Sequence, residues 1–290
     1  MESDSNKLSS KKRAVIDELF RKLVLASGKP ENMIYYFNNT QVKQVSDIKN
    51  FSNQFDATKY DSSEKLPSIM REYGAYILHL GTRDGKSGTH AFIIGKKGIP
   101  FEGNYPGYHK LEDIQNWDDI KVKKDILSRL GTSEARTASN LYNYQLIHNF
   151  LGLQSDQRLL IQTGRRTRHS YDVKVPTAEG KIQIHAENVQ IEIDVFYEYD
   201  NTVAHVEIKN ANYQDFAIYQ LFASRHFLES NIQRMKSKGY FAEVPRIRSI
   251  FAVGRLKQNE YRLYEYVFDD LNELESLRFV KSEGFKVRYE

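Results

Sequence analysis

Two neighbouring strand patterns constrain this chain most, because they put charged residues where a sheet normally packs apolar side chains. The first pattern covers residues 190–198 and carries Asp194, and the second ends in the motif Glu207-Ile208-Lys209. Side chains alternate between the two faces of a strand, so the acid and the lysine of this motif share one face. Asp200-Asn201 between the two strands favours a tight turn. The sequence therefore predicts a hairpin that brings the three charges together.

Spacing alone leaves open a simpler interpretation, in which Glu-x-Lys is a solvated ion pair on a strand surface. The flanking residues favour central strands instead, because they are strongly apolar; they are Ile191, Ile193, Val195, Val203, Val206 and Ile208. Two carboxylates and a backbone carbonyl are hard oxygen ligands that suit Mg²⁺. We therefore predict Asp194, Glu207 and the carbonyl of Ile208 as metal ligands. Lys209 would orient or deprotonate a water molecule, or stabilise charge on a phosphate.

Composition sets the wider limits. The 290 residues suit one large or two medium domains, and 40% hydrophobic content is enough for a core. There is no cysteine, which excludes disulfides and thiolate metal sites. The first ten residues do not resemble a signal peptide, and no apolar run is long enough to span a membrane, so we expect a cytoplasmic protein. The net charge of +4 lies in residues 1–130, with 21 basic against 17 acidic residues, which permits a polyanionic partner.

Hydrophobic periodicity and turn residues predict an alternation of helices and strands. The predicted helices cover 9–26, 65–73, 134–150 and 213–235, the first of these ended by Gly28-Lys29-Pro30 and the third capped by Thr132 or Ser133. The predicted strands cover 34–37, 76–80, 91–95, 159–163, 171–175, 181–199 with an interruption near Glu187, 202–209, 247–253 and 261–268. A Gly-rich loop is expected over 81–88. This order predicts an α/β or α+β fold with a mixed sheet flanked by helices.

At this point the sequence resembles the PD-(D/E)XK nuclease superfamily, and more closely a family of type II restriction endonucleases. Asp194 matches the metal-binding Asp, and Glu207-Ile208-Lys209 matches the (D/E)-x-K motif. The wider resemblance covers most of the chain; it includes 189–194, Tyr197-Glu198, Asn210, Asp215-Phe216, Gln220-Leu221, and in the N-terminal part 53–59, 65–67, 78–81 and 90–92. No Pro precedes Asp194, a position that varies in the superfamily.

The resemblance implies Mg²⁺-dependent cleavage of double-stranded DNA at a specific sequence, leaving 3′-hydroxyl and 5′-phosphate ends. It implies an N-terminal domain over 1–130 that helps to recognise DNA, and a nuclease domain over 131–290. It also makes Glu134 a candidate catalytic acid, although an acid in the first turn of a helix is equally typical of a partner for the helix dipole. Cutting two strands with one site per chain favours a homodimer.

Other residues have both a functional and a structural interpretation. Glu192 is a second metal ligand or, as we favour, a neighbour that adds negative charge. Arg165, Arg166 and Arg168 lie in a basic segment between two predicted strands, which suits DNA contact but also a solvated loop. Gln220 faces the site if the resemblance holds, and is otherwise an ordinary residue of an amphipathic helix. A repair or structure-specific nuclease and a non-catalytic DNA-binding module are the alternatives to a restriction enzyme.

Overall fold

The computed structural model describes residues 4–28, 33–95, 105–123, 134–210 and 212–290. Within these residues the chain is a mixed α/β protein, with a ten-stranded mixed sheet and six α-helices. The mixed α/β class predicted from the sequence is thereby confirmed. The boundary between residues 130 and 131 and the helix cap at Thr132 or Ser133 lie outside the described residues.

The strands run in the order β1-β3-β2-β7-β8-β10-β11-β12-β5 across the large sheet, and β6 pairs with β7 beside this path. Their bounds are β1 Ile34–Asn38, β2 Tyr76–Arg83, β3 Lys86–Ile93, β4 Tyr108–Lys110, β5 Trp117–Val122, β6 Leu160–Thr177, β7 Gly180–Tyr199, β8 Thr202–Asn210, β9 Asp215–Ala217, β10 Arg246–Arg255, β11 Glu260–Phe268 and β12 Leu277–Tyr289. The short β4 and β9 form a separate pair. Strands on both sides of residue 130 therefore share one sheet.

The helices are α1 Asp4–Phe20, α2 Asn39–Ile48, α3 Ser68–Glu72, α4 Glu134–Asn143, α5 Leu146–Leu151 and α6 Ile218–Ser237. The first predicted helix continues beyond α1 as a π-helical turn, Arg21–Leu25. The predicted single helix over 134–150 is wrong, because Gln145 adopts a left-handed conformation with φ 55° and separates α4 from α5. The helix predicted from residue 213 begins only at Ile218, after β9.

The prediction of a long loop over 81–88 is also wrong, because β2 and β3 extend through these residues to a two-residue turn. Asp84 and Gly85 form this turn with φ of 50° and 73°, which matches the twist of a β-hairpin. The strand β2 reaches β7 through a single pairing of Gly81 with Glu187. A Cβ at Gly81 would lie 2.0 Å from the carbonyl oxygen of Glu187, so only glycine lets the two strands approach this closely.

The basic segment around Arg165 is not a loop, which corrects the prediction. Residues 160–177 form one continuous strand, β6, that pairs with β7 along nearly its whole length. The first half of β6 is exposed, and its outer edge carries no strand among the described residues. Polar and basic side chains are compatible with such an edge strand, because they do not have to pack into a core.

Two apolar cores lie against the sheet. The larger joins α1, α2, α6 and strands β1 to β3 with part of β6 and β7. The smaller packs α4 and α5 on β8, β10 and β11, through residues such as Leu141, Phe150 and Val206. Because β8 lies between β7 and β10 and is covered by α4 and α6, the Glu207 motif occupies a central strand, as its apolar neighbours predict.

A candidate active site at the fork between two strands

The candidate site lies where β7 and β8 separate. Their antiparallel pairing runs from Tyr199 opposite Thr202 to Val195 opposite Val206 and then stops. Immediately beyond this point, the side chain of Asp194 replaces the missing backbone partner: its Oδ2 accepts a hydrogen bond of 2.7 Å from the backbone N–H of Ile208. The fork thus places one carboxylate of β7 against the end of β8, as the hairpin interpretation predicts.

Glu207 and Lys209 are both buried on β8, each with a relative exposure of 7%. The Nζ of Lys209 donates a hydrogen bond of 2.7 Å to Oε1 of Glu207. The interpretation as a solvated surface pair is therefore wrong. Burying charges is unfavourable unless they are paired, so a cluster with more carboxylates than lysines either takes up protons or binds a cation.

Glu134 reaches the same lysine from the first residue of α4. Its Oε1 lies 3.6 Å from Nζ of Lys209, and its side chain is about half exposed. The helix is held here by a hydrogen bond of 2.6 Å from Thr137 Oγ1 to Asn210 Oδ1, directly after the Glu207 motif. Both interpretations of Glu134 fit this placement, since it lies at a helix N-terminus and also contacts the site.

Burial changes the protonation of these groups. It raises the pKa of Asp194 from 3.8 to about 6, opposed by Lys209 and the Ile208 N–H. It raises the pKa of Glu207 from 4.5 to about 8, opposed mainly by Lys209. Burial acts to lower the pKa of Lys209, but the surrounding carboxylates outweigh it and hold the pKa well above its usual range. Lys209 is therefore a cation at neutral pH, which favours charge stabilisation over proton abstraction.

These shifts predict how stability depends on pH. An acid whose pKa is raised in the folded state stabilises the protein below its unfolded pKa and loses this contribution as pH rises through the folded value. We therefore expect the free energy of unfolding, without divalent cations, to fall between about pH 4.5 and pH 8 because of Glu207. Urea denaturation across this range should show the decline, and Glu207→Gln should flatten it. If the free energy of unfolding of Glu207→Gln depended on pH as it does in the wild type, the raised pKa of Glu207 would be contradicted.

Asp61, in the N-terminal part of the chain, also belongs to this site, and sequence reasoning missed it. Its Oδ1 accepts a hydrogen bond of 3.1 Å from Nε2 of Gln220 on α6. Its negative charge raises the pKa of both Lys209 and Glu207. Its backbone carbonyl also accepts from the N–H of Ala217, at 3.0 Å. No motif marks an isolated Asp-Ser-Ser in a loop, so this residue could be found only from the folded chain.

Asp215 explains how the loop of Asp61 is held. Its Oδ1 accepts hydrogen bonds of 2.6 Å from Ser62 Oγ and 3.0 Å from the Ser63 N–H, and its other oxygen accepts from Ser63 Oγ. Asp215 is 9% exposed. A buried carboxylate with three donors fixes the loop firmly. Asp215, which is one of the residues in the sequence resemblance, therefore holds residues 61–63 in place.

The remaining predicted residues lie around the site with different partners. Arg166 donates two hydrogen bonds to Oε1 of Glu192, at 3.0 and 2.9 Å, and both side chains are exposed. Glu192 also raises the pKa of Asp194 slightly, which agrees with its role as a charged neighbour. Arg165 lies 5.2 Å from the ring centroid of Phe227, and Arg168 is exposed.

Gln220 reaches the candidate site through Asp61. Its amide nitrogen is bonded to Asp61, whereas its Oε1 is buried and has no hydrogen-bond partner within the described part of the chain. A buried carbonyl oxygen without a donor is unfavourable. Gln220 Oε1 is therefore an acceptor left unsatisfied by the described residues, next to the bond that Gln220 makes with Asp61.

The donor set fits Mg²⁺ in chemistry, since it consists of oxygens alone. Among the described residues, no three His, Cys, Asp or Glu side chains form a group that could hold a metal. Mg²⁺ is usually bound by one or two carboxylates together with water and substrate phosphates. Asp194 and Glu207 are the two carboxylates that the fork supplies, and the N–H of Ile208 orients the first.

The fold and the site together define a mixed α/β protein with a buried acid and lysine cluster at a strand fork. Residues 103–286 match the family described as a domain of unknown function, DUF6997, and the chain belongs to this family. Residues 13–84 match a second family, described as a domain of unknown function, DUF6996. No curated protein and no solved structure matches the chain. In the described residues, no helix has the length and apolar character needed to cross a membrane.

Proposed function

We propose that the protein is a Mg²⁺-dependent type II restriction endonuclease with a PD-(D/E)XK nuclease fold, which hydrolyses phosphodiester bonds in double-stranded DNA at a specific sequence. The observation that carries this proposal is the buried contact of Lys209 with Glu207, beside Asp194 at the fork of β7 and β8. Isolated charges are costly to bury, and this cluster has more carboxylates than lysines. A divalent cation would balance the excess carboxylates, and the bound cation together with Lys209 would then attract a phosphate.

Each residue then has a defined chemical role. Asp194 and Glu207 would hold Mg²⁺, with the carbonyl of Ile208 as a third donor, and the bound ion would polarise the phosphate and a water molecule. Lys209, which keeps its proton, stabilises negative charge on the phosphate in the transition state. The water oxygen bonds to phosphorus, the bond from phosphorus to the 3′ oxygen breaks, and the leaving oxygen takes up a proton from solvent to become the 3′-hydroxyl. A protonated Lys209 does not accept the proton of the water, so we assign this proton to Glu134, the half-exposed carboxylate beside Lys209.

The exposed half of β6 supplies the proposed DNA contacts. Arg165, Arg166 and Arg168 lie on this strand, which pairs with the part of β7 that leads into Asp194. An ordered strand presents arginines with less loss of side-chain and backbone freedom than a loop does. These side chains can bind backbone phosphates or the edges of guanine. We propose a homodimer in the cytoplasm, in which each copy cuts one strand.

Digestion of a plasmid of known sequence tests the proposal directly. We expect cleavage into discrete bands with Mg²⁺ and no cleavage in EDTA, with ends that carry 5′-phosphates when they are sequenced. A smear, or cutting only at branched or damaged DNA, would favour the repair or structure-specific nuclease. DNA binding without cleavage under any divalent cation would favour the non-catalytic binding module and contradict the proposed activity.

A further inference from the structure

A short turn of the N-terminal region places Lys65 against Tyr213, which lies four residues after Lys209 in the chain. Ser63–Lys65 forms a 3₁₀ turn, and Asp215 fixes its beginning through Ser62 and Ser63. The other end is also fixed, because the carbonyl of Lys65 accepts a hydrogen bond of 3.0 Å from Nε of Arg13. A lysine on a turn held at both ends loses less freedom on binding a ligand than one on a free loop.

The ammonium group of Lys65 has one polar contact in the described part of the chain. Its Nζ donates a hydrogen bond of 2.7 Å to the hydroxyl of Tyr213 and lies 4.3 Å from the centroid of that ring. Within the described ranges, no carboxylate lies within 4.0 Å of this Nζ. An ammonium group has three donors, so two of them have no acceptor among these residues.

Lys65 lies within the electrostatic field of the candidate active site. Desolvation lowers the pKa of Lys65. The positive charge of Lys209 lowers it further, and the negative charge of Asp61 opposes both effects. The hydroxyl of Tyr213 accepts a hydrogen bond from Lys65, and burial together with the negative charge of Asp61 raises the pKa of Tyr213. A partly desolvated cation without a counter-ion is unfavourable in the free protein, and an anionic ligand would remove this cost.

We propose that Lys65 binds a phosphate of the DNA backbone next to the bond that is cut, so that the working site is completed by the N-terminal region. This inference rests on the proposed nuclease function. Lys65 and Asp61 come from the region that matches DUF6996, whereas Glu134, Asp194, Glu207 and Lys209 come from the region that matches DUF6997. The two family regions then form one site, and neither contains all of its charged groups.

The test compares Lys65→Met and Lys65→Arg with the control Lys43→Met. Lys43 is an exposed lysine of α2 whose charge is already paired with Asp47 at 2.6 Å. Each phosphate contact contributes about 0.9 to the slope of log affinity against log salt. We expect Lys65→Met to lower this slope by about one for a labelled duplex without divalent cations. Lys65→Arg should retain it, and Lys43→Met should match the wild type.

Cleavage kinetics give a second measurement that a purely structural role would not reproduce. Loss of a contact that is present in both the bound state and the transition state raises KM and leaves kcat nearly unchanged. We expect KM to rise about tenfold or more in Lys65→Met, with recovery in Lys65→Arg. Wild-type salt slope and KM in Lys65→Met would overturn this inference while the nuclease function stands. A wild-type protein that neither binds nor cuts DNA would overturn both.

Discussion

Replacing Asp194 by alanine should abolish DNA cleavage while leaving DNA binding measurable, and asparagine is the cleaner substitution. The Oδ1 of asparagine can still accept the hydrogen bond that Ile208 N–H gives to Asp194, so the fork should keep its shape. Only the charge is lost, and with it a carboxylate that would hold Mg²⁺. We expect the cleavage rate with Mg²⁺ to fall about a thousandfold or more.

The matched control is Glu192→Gln, two residues earlier on the same strand. Glu192 is exposed and paired with Arg166, so its loss should change cleavage far less than the loss of Asp194. Single-turnover cleavage of a saturating duplex would separate the chemical step from binding. Wild-type cutting by Asp194→Asn would show that the site is wrong. Equal losses in both variants would instead make Glu192 a ligand rather than a neighbour.

Hydrophobic pattern was enough to predict the central part of the sheet. The hairpin of β7 and β8 and its buried face follow from alternating apolar residues between turn residues, because period-two patterns and tight turns are local signals. The continuity of β6 could not be predicted in this way. Gly164 and the nearby arginines are typical of a loop, and an exposed edge strand has no apolar alternation to distinguish it from one.

The break between α4 and α5 and the role of Asp61 show a second limit. Gln145 is neither Gly nor Pro, yet it adopts positive φ, so local preference gave no sign of the break. Asp61 reaches the site only because Asp215, far along the chain, holds its loop. Contacts between distant segments depend on the assembled fold. The sequence was therefore enough to predict the charged pair Glu207 and Lys209 on β8, but not the contribution of Asp61 to the same site.

Replacing Lys209 should also abolish cleavage, for a different physical reason. Nζ of Lys209 lies 2.7 Å from Glu207 and 3.6 Å from Glu134. These carboxylates raise the pKa of Lys209, so in the proposed reaction it would supply a permanent positive charge beside the phosphate. We expect Lys209→Ala and Lys209→Met to reduce the cleavage rate at saturating DNA by about a hundredfold to a thousandfold or more. DNA binding should remain measurable, because the arginines of β6 are intact.

Removing Lys209 also leaves Glu207 buried without its cation, so folding has to be measured in the same variants. Lys281→Met is the matched control, since Lys281 is partly buried and paired with Glu283 at 2.8 Å on β12. Loss of cleavage with a cooperative urea transition in Lys209→Met, and wild-type cleavage in Lys281→Met, would assign the effect to the site. Wild-type cleavage by Lys209→Met would reject Lys209 as a catalytic residue. Because Glu207 can take up a proton when its partner is gone, the stability of Lys209→Met should be greatest at acidic pH.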